Sequence, residues 1–451
     1  MKKINSRFEA RGGLSRRDFL ALMSASALGA AMGGCAVNPV TGEQQLMLLS
    51  EGQEVAIDRE QSPHQFSADF GVSLDTGLNR YLHTLGLELA LLSHRPEMPY
   101  SFQVVNANYL NAYAFPGGTV GVTRGIMLEM EDEATLAALL GHELGHVNAR
   151  HAAQRMTRGL IAQVAVAGAS VALSNSGDHK GLAPLVQGLG GLGAGALLAH
   201  YSRDNEREAD ALGMEYAARA GRNPGGMVSL HRLLVEQSRQ KPNALEMMFA
   251  THPMSSERLA TTEESMAKRY RDYRNLPTLR ERYLDNTAGV RRLKPAIEAE
   301  QAGEKEMAKE AFAAAEPLFK KALRAAPEDY PGLLLMSRCQ YGLGRKRDAV
   351  RYAEAAHKVY PQEPQALQLA GIARLETGNH AGALRYFNEY QQRLPGNPNT
   401  VFLKGLALEN LGQRLEAARE YARYLQQAGG GGQTPYARQR LVEWGVIKQN
   451  K

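Results

Sequence analysis

The residues best suited to chemistry are His142, Glu143 and His146, in the stretch LLGHELGHVNARH (139–151). Residues four apart on a helix stand one turn apart on one face, so the two imidazoles can aim at a single ion. Zinc suits them, with nitrogen ligands at about 2.0–2.1 Å in a tetrahedral shell. Glu143 projects about 100° round the helix from His142, where it can serve water at the metal as a general base without being a ligand. A third ligand must come from elsewhere. A metzincin would carry a glycine and a histidine three and six positions after His146, and Ala149 and Ala152 stand there instead. His151 falls at the wrong distance and is expected on the surface or behind a ligand. Downstream, in YSRDNEREADALGMEYAARAG (201–221), Glu206 and Asp210 are again four apart, while Glu208 points away. Glu206 would complete a set of two His and one Glu, and Asp210 would assist catalysis by orienting a ligating histidine through its free N–H. An amphipathic helix with a charged outer face would show the same pattern. Three ligands leave one position of a single zinc for water, whose pKa falls to about 7. Glu143 would take its proton and pass it to a leaving amine.

These groups need elements to hold them. Asp132 can cap a helix through EATLAALLGHELGHVNAR, anchored by Leu136, Leu139 and Leu140. Gly141 and Gly145 strip one flank of that helix, which implies a close neighbour. Ser202 or Asp204 can start the second helix and Gly221 can end it. Upstream, NAYAFPGGTVGVTRGIM (111–127) can form two strands, Asn111–Phe115 and Thr119–Thr123, about a turn at Pro116 to Gly118. One of the two, with Asn111, Ala112, Tyr113 and Ala114 as candidates, could bind substrate backbone by strand addition; a purely structural hairpin fits equally. In FATHPMSSERLA (249–260) His252 precedes Pro253 in a turn, with Ser255 able to cap the next helix and Arg258 able to hold the histidine.

The rest of the chain supplies a compartment and an architecture. With 451 residues, two or three domains are expected, and a net charge of +6 invites a nucleic-acid reading. Six basic against two acidic residues lie within positions 1–34, so the remainder is near neutral and no nucleic-acid partner is expected. That basic start, SRRDFL, a short apolar core and MGGC read as a twin-arginine export signal with a lipobox, although Met32 stands where Leu is usual. Cleavage before Cys35 and lipidation of its thiol follow, unless Cys35 is incidental to a plain signal. Cys339 is then the sole remaining thiol, and it occupies the repeat position of Ala373 and Ala407. Pro327, Pro361 and Pro395 recur every 34 residues, as do Gly344, Gly378 and Gly412, and Ala349, Ala383 and Ala417. That register resembles tetratricopeptide repeats, whose concave face binds partners.

HELGH followed by SRDNEREAD resembles the zinc metallopeptidase family of HtpX and the CAAX prenyl proteases. CAVNPVTG and the C-terminal repeats resemble its periplasmic, BepA-like members. The resemblance implies zinc on His142, His146 and Glu206, with Glu143 as base. It also implies a regulatory latch, in which His252 occupies the open zinc position until displaced. The fold class expected is α+β and mostly α-helical, a zincin metallopeptidase domain with a small β-sheet followed by an α-solenoid of tetratricopeptide repeats. Its parts are an export signal (1–34), a tether and helix (35–60), the peptidase (61–270), a charged linker (271–294), the repeats (295–428) and a Gly linker with a terminal cap containing Trp444 (429–451). The apolar stretches 159–173 and 181–199 read as helices covering the site and touching the membrane surface. Together these imply a periplasmic endopeptidase, lipid-anchored to the outer membrane of a Gram-negative bacterium. It would cleave misfolded or stalled envelope proteins, its repeats recruiting clients or the outer-membrane assembly machinery. The competing class is a chaperone-like adaptor with vestigial proteolysis.

Overall fold

The computed structural model describes residues 35–159, 200–240, 246–254, 256–428 and 432–448. The export signal, nearly all of the two apolar stretches, the Ser255 cap and glycines 429–431 lie outside them. A hairpin of β1 (Cys35–Val37) and β2 (Gln44–Leu46) precedes α1 (Glu51–Ala68), which Ser50 and Gln53 start with a reciprocal capping box. Then come α2 (Thr76–Ala90), β3 (Ser101–Val105), β4 (Ala112–Ala114) and β5 (Thr119–Thr123). β5 lies between β3, which runs parallel to it, and β4, which runs antiparallel, so β4 is an edge.

α3 (Arg124–Glu129) continues directly from β5, and α4 (Glu133–Asn148) carries the histidine pair. Asp132 caps α4 by accepting from Thr135 N at 2.8 Å. Every residue of α4 is buried. Its Leu136, Leu139, Leu140 and Leu144 share one core with Leu82 and Leu85 of α2 and with Phe102, Val104, Val120 and Val122 of the sheet. Each such leucine stabilises the fold by about 1.5–3 kcal/mol, so the helix bearing the site is firmly anchored. Its last turn is held by charge as well. Glu54 of α1 has no exposed surface and accepts from Arg95 at 2.9 Å and Arg150 at 3.1 Å. Arg95 also donates to the Val147 carbonyl, and Arg150 to that of Leu49.

Beyond the sheet lie α5 (Arg203–Arg219), α6 (Gly226–Gln240), α7 (Glu246–Thr251), α8 (Ser256–Lys268) and α9 (Arg280–Arg292). α9 falls in the stretch expected as a linker, yet it buries Tyr283, Thr287 and Val290, and the Tyr283 hydroxyl donates to the Met127 carbonyl at 2.6 Å. Antiparallel pairs follow: α10 (Lys294–Met307) with α11 (Phe312–Ala325), α12 (Tyr330–Gly342) with α13 (Lys346–Val359), α14 (Gln365–Glu376) with α15 (His380–Arg393), and α16 (Pro398–Asn410) with α17 (Arg414–Gln427). α18 (Thr434–Glu443) closes the array, with Trp444 stacked on Tyr421. Gly344, Gly378 and Gly412 take φ of 75°, 80° and 74° in the turns within pairs, a left-handed conformation that favours glycine. Ala349, Ala383 and Ala417 are buried where the paired helices meet, and so are Cys339, Ala373 and Ala407. No described helix is long and apolar enough to cross a membrane.

Part of the repeat array is filled by the chain's own peptidase half. Phe70, at φ 64° after α1, enters the core formed by Phe319, Tyr330 and Leu334, and the Arg338 guanidinium lies 5.2 Å above its ring. Beside it Ser67 donates to Glu363 at 2.5 Å, and Gln365 donates to the Ser67 carbonyl. Burial pushes the Glu363 carboxyl up from 4.5 to about 7. A carboxyl raised on folding favours the folded state in full below its unfolded pKa, and that contribution is lost as pH climbs through the folded value. Urea unfolding of the full chain is therefore expected to lose about 2–3 kcal/mol between pH 5 and pH 8 through this group. Glu363→Gln should remove that component, and an identical pH slope in the variant would contradict it.

Candidate metal centre

The site forms where α4 crosses α5. A Cβ on Gly141 would stand 2.9 Å from the Gly213 Cα, and one on Gly145 2.9 Å from the Ala209 Cα. The two glycines thus permit a backbone approach that larger residues would prevent. Ser202, with Asn205, caps α5, so Asp204 does not, and Gly221 at φ 66° follows the helix end. The crossing brings His142, His146 and Glu206 together. The two Nε2 atoms stand 3.0 Å apart, with Glu206 oxygens 3.6 Å from His142 Nε2 and 3.4 Å from His146 Nε2. His252 joins them, its Nδ1 3.4 Å from His142 Nε2 and 3.1 Å from Glu206 Oε1. All four donor atoms lie within 4.8 Å of one another, and all four residues are buried.

This set fits zinc. Ligands about 2.0–2.1 Å from one tetrahedral ion stand roughly 3.3–3.4 Å from each other, close to the separations seen. Asp210 Oδ1 lies 3.0 Å from His142 Nδ1 and accepts its N–H, which leaves the Nε2 lone pair directed at another imidazole and a carboxylate. A cation resolves that conflict. Glu143 is 1% exposed, and neither of its carboxylate oxygens has a hydrogen-bond partner among the described residues. His252 faces it, with Nε2 3.9 Å from Oε1. Burial raises its carboxyl above the ordinary value. Burial acts the same way on Glu206, but the charge of His252 and its hydrogen bond outweigh it and hold Glu206 well below the usual range.

Several groups support this set, of which His231 and Tyr201 were invisible to motif reading. Arg258 grips Asp210 with two hydrogen bonds of 2.7 and 2.8 Å and pairs with Glu206 at 2.7 Å. It also donates to the Pro253 carbonyl at 3.1 Å, so it braces the turn carrying His252, not the histidine's ring. His231 of α6 reaches Asp210 at 3.3 Å, and the Tyr201 ring stacks on His146 with centroids 3.9 Å apart. His151 is 1% exposed, so of its two expected locations it takes the one behind a ligand, and it meets Glu208, which stands outside the four-residue cluster. Of the two candidate substrate strands, β5 is paired on both sides. β4 is the edge, and it packs against α4. Asn111, Ala112, Tyr113 and Ala114 are all buried there, and the Tyr113 hydroxyl donates to Asp69 at 2.5 Å. Cys35 opens β1, away from this cluster in sequence.

Residues 77–266 match peptidase family M48, and residues 306–372 match a tetratricopeptide repeat. The chain carries a peptidase family M48 domain followed by tetratricopeptide repeats. All four clustered groups fall inside the M48 match. Among curated relatives, the beta-barrel assembly-enhancing protease of Yersinia pestis is 31% identical over 220 residues, covering 47% of this chain and 44% of that protein. Its counterpart of Escherichia coli K12 is 29% identical over 225 residues, covering 49% and 45%. The metalloprotease YcaL of Escherichia coli K12 is 31% identical over 169 residues, covering 38% and 63%. The matches thus span less than half the length of the two assembly-enhancing proteases. Among solved structures, the repeat protein YrrB is 15% identical with a TM-score of 0.31, covering 46% of this chain and 97% of its own.

Proposed function

We propose that this M48 domain is a zinc-dependent endopeptidase of the bacterial cell envelope. The observation that carries the reading is a tetrahedrally spaced His142–His146–Glu206 set beside the Glu143 carboxylate, which has no hydrogen-bond partner among the described residues. Zinc held there supplies Lewis-acid activation of water and of the peptide carbonyl. Glu143 takes the proton of the attacking water and delivers it to the leaving amine. Asp210, fixed by Arg258, keeps His142 in the tautomer whose Nε2 is free to ligate. The β4 edge receives substrate backbone by strand addition, with Asn111 to Ala114 as the receiving residues.

The clients are misfolded or stalled envelope proteins, and the repeats recruit them or the outer-membrane assembly machinery. The names of these relatives support this, and the export signal with the lipobox ending at Cys35 favours a periplasmic protein on an outer-membrane lipid anchor. His252 acts as a latch in the fourth position of the site. His252→Ala is expected to raise the cleavage rate of an unfolded outer-membrane protein by roughly 5–150-fold, the range of typical coupling energies. An unchanged rate at full zinc occupancy would remove the latch while leaving the peptidase reading in place.

A further inference from the structure

Behind His146 lies a second histidine with no place in the reaction above. α4 ends at Asn148, and Arg150 takes φ 58°, a left-handed turn locked by its hydrogen bonds to Glu54 and to the Leu49 carbonyl. That reversal returns the next residue, His151, beneath the site, with its ring 5.0 Å from that of His146 at an interplanar angle of 70°. The Nδ1 atoms of the two rings stand 2.9 Å apart, and His151 Nε2 lies 3.1 Å from a Glu208 oxygen. We infer that His151 and Glu208 are positioning residues for zinc, a relay that sets the tautomer and the aim of His146. This deepens the zinc reading and rests on it.

With His151 neutral, the proton count sets the direction of the relay. A carboxylate only accepts, so His151 donates its Nε2–H to Glu208. His151 Nδ1 is then bare and must accept, and two nitrogens 2.9 Å apart share one proton, which therefore sits on His146 Nδ1. His146 Nε2 is left bare, facing His142 Nε2 and Glu206. The two ligating histidines are thus oriented differently, His142 by a carboxylate directly and His146 by a carboxylate acting through a buried ring. Glu206, Glu208 and Asp210, alternating along the first turns of α5, thereby divide into a ligand and two orienting groups.

The test uses the full chain stripped of metal and then titrated with Zn2+ against a competing chelator, with Co2+ absorption as a geometric readout. Glu208→Ala and His151→Phe, which keeps a ring in place, are each expected to weaken Zn2+ binding by about 10–100-fold and to alter the Co2+ spectrum. Glu208→Gln, whose amide oxygen can still accept, should stay near wild type. The thermal midpoint of the metal-free chain should change little in Glu208→Ala, since that side chain is 30% exposed. Zinc affinity within about twofold of wild type in both Glu208→Ala and His151→Phe would overturn the relay. If His151→Phe fails to fold, Glu208→Ala decides the matter. A wild-type chain that binds no Zn2+ defeats the zinc reading itself, and the relay with it.

Discussion

Glu143→Gln is expected to lower the rate of peptide-bond cleavage by about 10²–10⁴-fold, the contribution typical of a positioned general base. The substitution keeps size and shape but removes the proton acceptor. The carboxylate it replaces is buried with both oxygens unpartnered among the described residues, an arrangement that costs stability where catalysis does not require it. The unfolding midpoint of the variant should therefore equal or exceed that of the wild type. Zinc, measured by metal analysis, should remain at about one ion per chain, because Glu143 is not among the three ligand positions. Initial rates on an unfolded outer-membrane protein are the measurement. Equal rates for variant and wild type would sink the enzymatic reading and favour the adaptor, in which binding alone matters.

The second large effect concerns Arg124, which follows β5 directly and is 3% exposed. Its guanidinium pairs with Glu300 of α10 at 2.5 Å and with Asp329, the cap of α12, at 2.7 Å, and donates to Asn108 at 2.9 Å. One side chain thus ties the sheet beside the site to two helices of the repeats. Burial, opposed by the Arg124 charge but assisted by Asp329, raises the Glu300 carboxyl well above its usual value, while Arg124 holds Asp329 below its own. Removing the cation from this cluster leaves acids buried without compensation. Arg124→Ala is expected to cost about 3–5 kcal/mol in urea unfolding of the full chain. A loss below about 1 kcal/mol would show that the acids find other partners or water.

The histidine pair, Glu206 and both helix starts were legible because local rules govern them: a 3.6-residue period, a cap, a flank of glycines. The repeat register was legible for the same reason, since Pro, Gly and Ala each recur where one turn or one close contact demands them. Contacts set by how distant elements cross were not legible. His231 lies 21 positions from Asp210 with no motif linking them, and Tyr201 reads only as the residue before a cap. Glu54 meets Arg95 and Arg150 across 41 and 96 residues. In α9 a signal was present but masked by charge, because Tyr283, Thr287 and Val290 follow helical spacing within a run of arginines. The partnership of Glu208 with His151 was not legible, because the histidine is aimed by a left-handed turn at Arg150 that the sequence does not announce.

The Phe70 turn has a practical consequence for anyone wishing to divide the labour between the two halves. Severing the chain near residue 294 would strand a greasy knob on the proteolytic fragment. The other fragment would be left with a vacant socket rimmed by Arg338, Glu363 and Gln365. Each piece would be stickier than the whole, so loss of activity or capture of partners by either fragment alone would report the wound as much as the division of roles. Point substitutions in the intact chain are the sounder dissection.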